Sequence, residues 1–253
     1  MNKQYYQAIE DVLTDGIESS PRGMKIKELF AYRIELDDPR ARMSTLKPLQ
    51  TFGYAKKELE WYLMGTNHIS DLADKYRHIW HPFSDDGGKT VNSAYGYRIF
   101  GGHNNVGINQ WQWVIRKLQE DPDTRQAIIN INASFDKFNP TKDFPCCVGS
   151  QYLLRDGKLN NVVTFRSNDL NLGVKNDIYT FSALQELMAY QLGAKLGKFV
   201  LVSNSLHLYE KDWFGAAKVL NNYSKNKLED VVDKLDVEML HEKYKHNLGA
   251  KVK

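Results

Sequence analysis

Two adjacent cysteines, Cys146 and Cys147, follow Phe144-Pro145. Gln151, Arg166-Ser167-Asn168-Asp169 and the stretch from Gly173 to Asp177 come after them. Pro145 ends regular structure just before the sulfur, which places Cys146 at the start of an element, near oriented backbone N–H groups. Arg166 lies on the following strand of a hairpin, where a cation near the thiol would raise its thiolate fraction and make it a nucleophile. A free cysteine is also commonly a small buried hydrophobe, so from the residues alone both readings stand. Arg166-Ser167 offers a donor fork and a hydroxyl, suited to a phosphate monoester. Arg22, after Pro21, and Arg125, after Asp123-Thr124, sit at element boundaries open to a phosphate or simply to solvent. His207 and Tyr209 flank Leu208, so an extended backbone turns both to one side. That arrangement suits paired hydrogen bonds to a sugar hydroxyl, or equally a satisfied polar pair in the core. The sequence contains no CxxC, HExxH or Walker pattern, so it points to no metal or nucleoside-triphosphate site.

The elements that must position these groups follow from periodicity. A first helix covers about residues 2–18 with Tyr5, Ile9, Val12, Leu13 and Ile17 on one face, and residues 24–36 read as a strand. A second helix near 48–64 buries Leu49, Phe52, Leu59, Tyr62 and Leu63 and ends at Gly65, with Glu58 close to that stripe. Asn67 caps a helix running to about Arg77; residues 82–107 are mostly loop; Asn109 to Glu120 is helical. Residues 125–132, 150–155 and 159–166 read as strands, the last two joined by the turn signal Asp156-Gly157. A long helix begins at Asp177 or Thr180, carries Phe181, Leu184, Leu187, Met188 and Leu192 inward, and closes at Gly193. A buried strand at 199–205 and a helix near 212–223 follow. Helices and strands mix irregularly, which predicts one mixed α/β domain over residues 1–253.

Composition sets the outer bounds. The chain has 253 residues, 42% hydrophobic and 26% charged, with a net charge of +3. These are the values of a globular protein with one sizeable core. The small charge and the lack of long basic runs argue against nucleic-acid binding, and the lysine-rich stretch 243–253 reads as a solvated tail. The two neighbouring cysteines form no disulfide framework, which points to a reducing cytoplasm. The amphipathic, acid-bearing N-terminus is not a signal peptide, and no run approaches the roughly 18 apolar residues of a membrane span.

In their order along the chain these residues resemble the thymidylate synthase family. Pro145-Cys146 with Gln151, Arg166-Ser167-Asn168-Asp169, Leu172-Gly173 and His207-Leu208-Tyr209 match its motifs. Upstream, Glu58 to Leu63 with Gly65, Ile79-Trp80, Tyr95-Gly96 and Asp121 to Arg125 match as well. The resemblance implies a mixed β-sheet flanked by helices (α+β type), with sheets packed back to back in a homodimer. It further implies catalytic roles for Cys146, Glu58, Asp177 and Tyr95. Arg22, Arg125 from the other subunit, Arg166 and Ser167 would hold a 5′-phosphate. His207 and Tyr209 would hold the sugar, and Gln151, Asn168 and Asp177 would complete the nucleotide site. Ile79, Trp80, Asp169, Leu172 and Gly173 would form the folate side.

Three departures matter. Cys147 stands where deoxyuridylate-specific members have histidine, Gln126 where they have a second arginine, and Asp177 where they have the base-reading asparagine. A carboxylate only accepts hydrogen bonds unless protonated. It suits the amino group of cytosine and repels O4 of uracil. The resemblance is therefore to the deoxycytidylate hydroxymethylase branch known from bacteriophages, which places the enzyme in the cytoplasm, the host's if phage-encoded. It implies that Cys146 adds to C6 of dCMP and that C5 takes one carbon from 5,10-methylenetetrahydrofolate as cosubstrate, with no metal. Water then gives a hydroxymethyl group, while hydride from the folate would give a methyl group. Methylation of dCMP or dUMP, and the ribonucleotide CMP as substrate, remain the alternatives.

Overall fold

The computed structural model describes residues 1–44, 52–101, 107–137, 140–225 and 230–252. Helix α1 (Asn2–Asp15) packs Tyr5, Ile9 and Val12 inward. It ends earlier than its periodicity predicts, because Gly16 is extended and Ile17–Ser19 forms the short strand β1. Then come β2 (Ile26–Leu36), β3 (Met43–Ser44), α2 (Phe52–Met64), α3 (Asp74–Arg77), α4 (Gln110–Glu120) and β4 (Ile128–Asn130). The chain continues through β5 (Cys147–Arg155), β6 (Lys158–Phe165), β7 (Asn168–Asp169), α5 (Gly173–Leu192) and β8 (Lys195–Tyr209). It closes with α6 (Glu210–Lys225), β9 (Asp230–Val231), α7 (Val237–Lys243) and α8 (Lys245–Leu248). The expected start of the second helix, with Leu49, lies outside the described residues, as do 102–106 of the expected loop.

The main sheet runs β1-β2-β8-β6-β5-β4, with β7 beside β8. β8 is parallel to β6 and β7, and the other pairs are antiparallel. A mixed sheet of this kind needs a long crossover, and α5 supplies it between β7 and β8. Phe181, Leu184, Leu187 and Met188 of α5 are almost wholly buried. Truncating such a side chain to alanine costs about 3–5 kcal/mol for the phenylalanine. Asp156 and Gly157, at φ 51° and 69°, make the tight turn that sets the β5–β6 register as far as Gly149–Thr164, beyond which a bulge shifts it by one residue.

Three expectations are corrected. Asn67 caps no helix. A single 3₁₀ turn, Ile69–Asp71, is separated from α3, and the Arg77 guanidinium takes the carbonyls of Leu72 and Ser70 that a continuous helix would use. α5 begins at Gly173, a turn before Asp177, so Asp177 lies within the helix. The stretch 243–252 is docked rather than a solvated tail. Leu248 is fully buried, Gln191 donates to the carbonyls of Leu248 and Ala250, and Val252 N–H returns to the Gln191 carbonyl. Among the described residues no helix is long and apolar enough to cross a membrane.

Candidate active site

The β5–β6 hairpin brings the thiol and the guanidinium together. Cys147 pairs with Phe165, so Cys146 and Arg166 are the next residues out on each strand, and Arg166 N–H donates to the Cys146 carbonyl at 2.8 Å. The Arg166 Nη2 stands 3.5 Å from the Cys146 sulfur. Two carbonyls fix the guanidinium: Nε donates to Pro145 and Nη2 to Phe144, each at 2.9 Å. Burial raises the Cys146 thiol pKa above its ordinary value, and Arg166 is the largest opposing influence, with Arg22 adding to it. The charge that would favour a thiolate is in place, held by backbone rather than by a competing carboxylate.

Two buried carboxyls belong to the same neighbourhood, Asp177 acting on the Cys146 thiol and Glu58 on Asp177. Glu58, on the inner face of α2, is buried, and burial pushes its pKa from the ordinary 4.5 to about 7. Tyr54, one turn earlier, donates to Glu58 Oε1 at 2.7 Å and accepts from Trp80 Nε1 at 3.1 Å. Sequence reasoning missed Tyr54, although its i,i+4 spacing from Glu58 on a helix was the available signal. Asp177 is held well above the carboxylate range, first by burial and then by Glu58, with the Asn168 side chain opposing the shift. A Cβ on Gly173 would fall 2.4 Å from Asn168 Oδ1 and 3.3 Å from Asp177 Oδ2, so glycine is needed where these two groups meet. Burial and the neighbouring Glu58 thus disfavour the charged form of Asp177. The Tyr95 hydroxyl accepts from Cys147 N–H at 3.1 Å, tying it to the cysteine pair.

Strand β8 gathers the remaining groups. His207 pairs with Glu28 of β2 on one side and Asp169 of β7 on the other. The His207 and Tyr209 rings lie 5.2 Å apart, on one side as their alternation predicts. Glu28 accepts from Ser19 and Ser205 beside His207, a polar rim that no motif in the sequence marks. Asp169 is half-buried and caps the next turn through Asn171 N–H at 2.8 Å, and burial raises its pKa. Leu172 is 62% and Ile79 37% exposed, with Trp80 half-buried behind the Tyr54–Glu58 pair.

Ser167 is half-buried directly after Arg166, and Arg22 and Arg125 are exposed. Gln151 spends its amide donor on the Arg125 carbonyl at 2.8 Å. Arg155 holds the carbonyls of Pro122 and Asp123 in the same loop. These contacts steady the segment that presents Arg125, and they give Gln151 a part in holding that loop. No cluster of metal-ligating side chains occurs among the described residues.

Residues 3–245 match the thymidylate synthase family model. The chain is 35% identical over 233 residues to the deoxyuridylate hydroxymethyltransferase of Bacillus phage SP01, a match covering 87% of this chain and 60% of that protein. The chain thus spans about 60% of the phage relative's length. It is 24% identical over 225 residues to thymidylate synthase 1 of Bacillus spizizenii, covering 83% of this chain and 80% of the relative. In fold it is similar to thermostable thymidylate synthase A from Bacillus subtilis, with a TM-score of 0.74 at 23% identity over 87% of this chain and 83% of the other. A family match of this extent coincides with a thiol beside a guanidinium and a buried acid, Asp177, that acts on the same thiol, and the chain belongs to the thymidylate synthase family.

Proposed function

We propose that this protein transfers one carbon to C5 of a pyrimidine nucleoside monophosphate, and that its product is a 5-hydroxymethyl nucleotide, with dCMP as the substrate. The observation that carries the reading is the Cys146 sulfur 3.5 Å from the Arg166 guanidinium, with the buried acid Asp177 acting on the same thiol and Glu58 acting on Asp177. Methylenetetrahydrofolate, when bound against Ile79, Trp80, Asp169, Leu172 and Gly173, supplies a carbon at the methylene level. The Cys146 thiolate adds to C6, and the displaced electron pair moves through C5 toward the C4 side of the ring. Asp177 holds the C4 and N3 edge and so favours the developing charge. Glu58, with a pKa near neutrality, is suited to move protons in both directions through water. Tyr95 steadies the cysteine pair. Arg22, Arg166 and Ser167 hold the phosphate, and His207 and Tyr209 the sugar hydroxyl.

Arg125 would complete the phosphate site of a second copy in a homodimer, which the steadied loop and exposed guanidinium support. One hydrophobic cluster runs from Met1 to Leu248 and supports a single domain. Water rather than hydride as the final donor is supported by the name of the phage relative. That same name favours a second reading, dUMP as substrate.

The test is to incubate the protein with methylenetetrahydrofolate and each of dCMP, CMP and dUMP. The C5 substituent is identified by mass spectrometry while dihydrofolate absorbance is followed. A 5-hydroxymethyl product without dihydrofolate supports the proposal. A methyl product with stoichiometric dihydrofolate replaces it with methylation, and unmodified nucleotide in all three overturns it.

A further inference from the structure

The Tyr54 phenol is fixed between an indole and a buried acid. Tyr54 lies one turn before Glu58 on α2, which puts both side chains on one helix face. Its oxygen accepts from Trp80 Nε1 at 3.1 Å, and its hydroxyl donates to Glu58 Oε1 at 2.7 Å. An indole N–H can only donate, and a phenol has a single proton. Trp80 therefore fixes the direction of the chain, and each group donates to the next from Trp80 through Tyr54 to Glu58. Aromatic packing holds both donors. The Tyr76 ring meets Tyr54 edge-on at 5.2 Å, and Trp61 and Phe83 meet the Trp80 ring at 5.4 Å and 6.1 Å.

The phenol favours one form of the acid. A carboxylate accepts a hydrogen bond more strongly than a neutral carboxyl does. Burial pushes the Glu58 pKa to about 7, and the Tyr54 hydrogen bond opposes that shift. Burial, and then Glu58, hold the phenol far above its ordinary range, so Tyr54 remains a donor when Glu58 ionises. The neighbouring ionisable groups are Tyr62 of α2 and Asp177 of α5, and neither carries a positive charge. Lys57 of α2 is turned to Glu60 instead, at 2.9 Å.

We propose that Tyr54 is a positioning residue of the reaction: held in direction by Trp80, it fixes the Glu58 carboxyl and keeps it available as the base that takes the C5 proton. The inference rests on the reading of the cleft as a C5-transfer site. The step is visible without carbon transfer as exchange of the C5 hydrogen. Cys146 Sγ bonds to C6 while the C5=C6 π pair moves into the ring, and C5 takes a deuteron from solvent. The Glu58 carboxylate then receives the C5 proton through water. The pair of the broken C5–H bond re-forms C5=C6, and the sulfur leaves with the C6–S pair, with no net oxidation or reduction.

The experiment follows loss of the C5 proton by NMR in D2O, across pH, with tetrahydrofolate, which carries no carbon to transfer. Saturating dCMP and dUMP are used in turn, and nucleotide dissociation constants are measured by calorimetry. Wild-type exchange is expected to fall on the acid side as Glu58 takes a proton. In Tyr54→Phe the midpoint of that fall is expected to rise by about one pH unit, because the lost hydrogen bond was made to the charged form. Nucleotide dissociation constants are expected to stay within about threefold, since the phenyl ring still packs on Tyr76. Trp80→Phe keeps the phenol but frees its proton, and is expected to raise the midpoint by less. An unchanged midpoint in either variant that folds, whatever its maximal rate, overturns the inference and leaves the C5-transfer reading standing. Exchange of neither base by the wild type overturns that reading and the inference with it.

Discussion

Arg166 holds its guanidinium 3.5 Å from the sulfur of Cys146 while both of its engaged nitrogens are anchored on the carbonyls of Phe144 and Pro145. The cation therefore cannot swing fully toward a phosphate without releasing the loop that carries the nucleophile. One side chain serves thiol activation and loop geometry together.

Removing that charge has a measurable consequence at the thiol. Arg166→Gln keeps a donor but loses the cation, so the Cys146 pKa rises further above its ordinary value. Alkylation by iodoacetamide at pH 8 is expected to slow about tenfold, the effect of one unit on a thiolate fraction. An unchanged rate would show that backbone N–H groups, not Arg166, control the sulfur. Cys146→Ser is expected to bind nucleotide normally and to abolish C5 exchange, which NMR in D2O reads directly.

Glu58 links the site to stability. Its pKa is raised from 4.5 to about 7 by burial, so the folded protein holds a proton that the unfolded chain has lost between those values. Stability must fall as pH rises through that window, by an amount on the order of 3 kcal/mol when the shift is complete. Glu58→Gln removes the charge without removing the volume. Its melting temperature is expected to exceed that of the wild type at pH 8 and to approach it at pH 5, while C5 exchange is lost. Equal melting temperatures at both pH values would show that Glu58 ionises without cost.

The hairpin was readable from sequence only in part. Asp156-Gly157 sets the register from Arg155–Lys158 out to Gly149–Thr164, but a bulge between Cys147 and Gly149 then shifts it by one residue, and that irregularity is what brings Arg166 beside Cys146. The burial of Glu58 was readable, since its position relative to the apolar stripe of α2 depends only on helix geometry. The start of α5 was not readable. Asn168, from a different strand, occupies the space where a side chain at 173 would sit, and a helix that begins at Gly173 places Asp177 inside it. The fate of 243–252 was hidden in the same way. Its lysines look solvated, yet its backbone carbonyls are held by Gln191 from the far end of α5. The raised pKa of Asp177 was out of reach as well, because it is set first by burial and then by Glu58 from α2, with Asn168 from β7 opposing it.

Gly173 tests whether that packing matters to the site. In Gly173→Ala the new methyl would stand 2.4 Å from Asn168 Oδ1, so Asn168 must move. Overpacking of this kind costs about 1–3 kcal/mol. The melting temperature is expected to drop, and nucleotide affinity to fall about tenfold as Asp177 loses its neighbour. A variant with lowered stability and unchanged nucleotide affinity would confine Gly173 to packing.

Arg125 bears on assembly, because a residue lent across a two-fold interface can be restored by mixing. Arg125→Ala and Cys146→Ser are each expected to be nearly inactive alone, the first for want of a phosphate contact and the second for want of a nucleophile. In a symmetric dimer each site would draw Arg125 from the partner. A mixed dimer then has one site with an intact Cys146 and an intact Arg125 facing it. Equal mixing after reversible unfolding gives half mixed dimers with one working site of two, so roughly a quarter of wild-type activity is expected. Recovery of activity in the mixture, where neither parent has it, requires that the two residues belong to different chains. Failure to recover activity, in a mixture shown by mass spectrometry to contain mixed dimers, would place Arg125 on its own chain's site or outside the chemistry altogether.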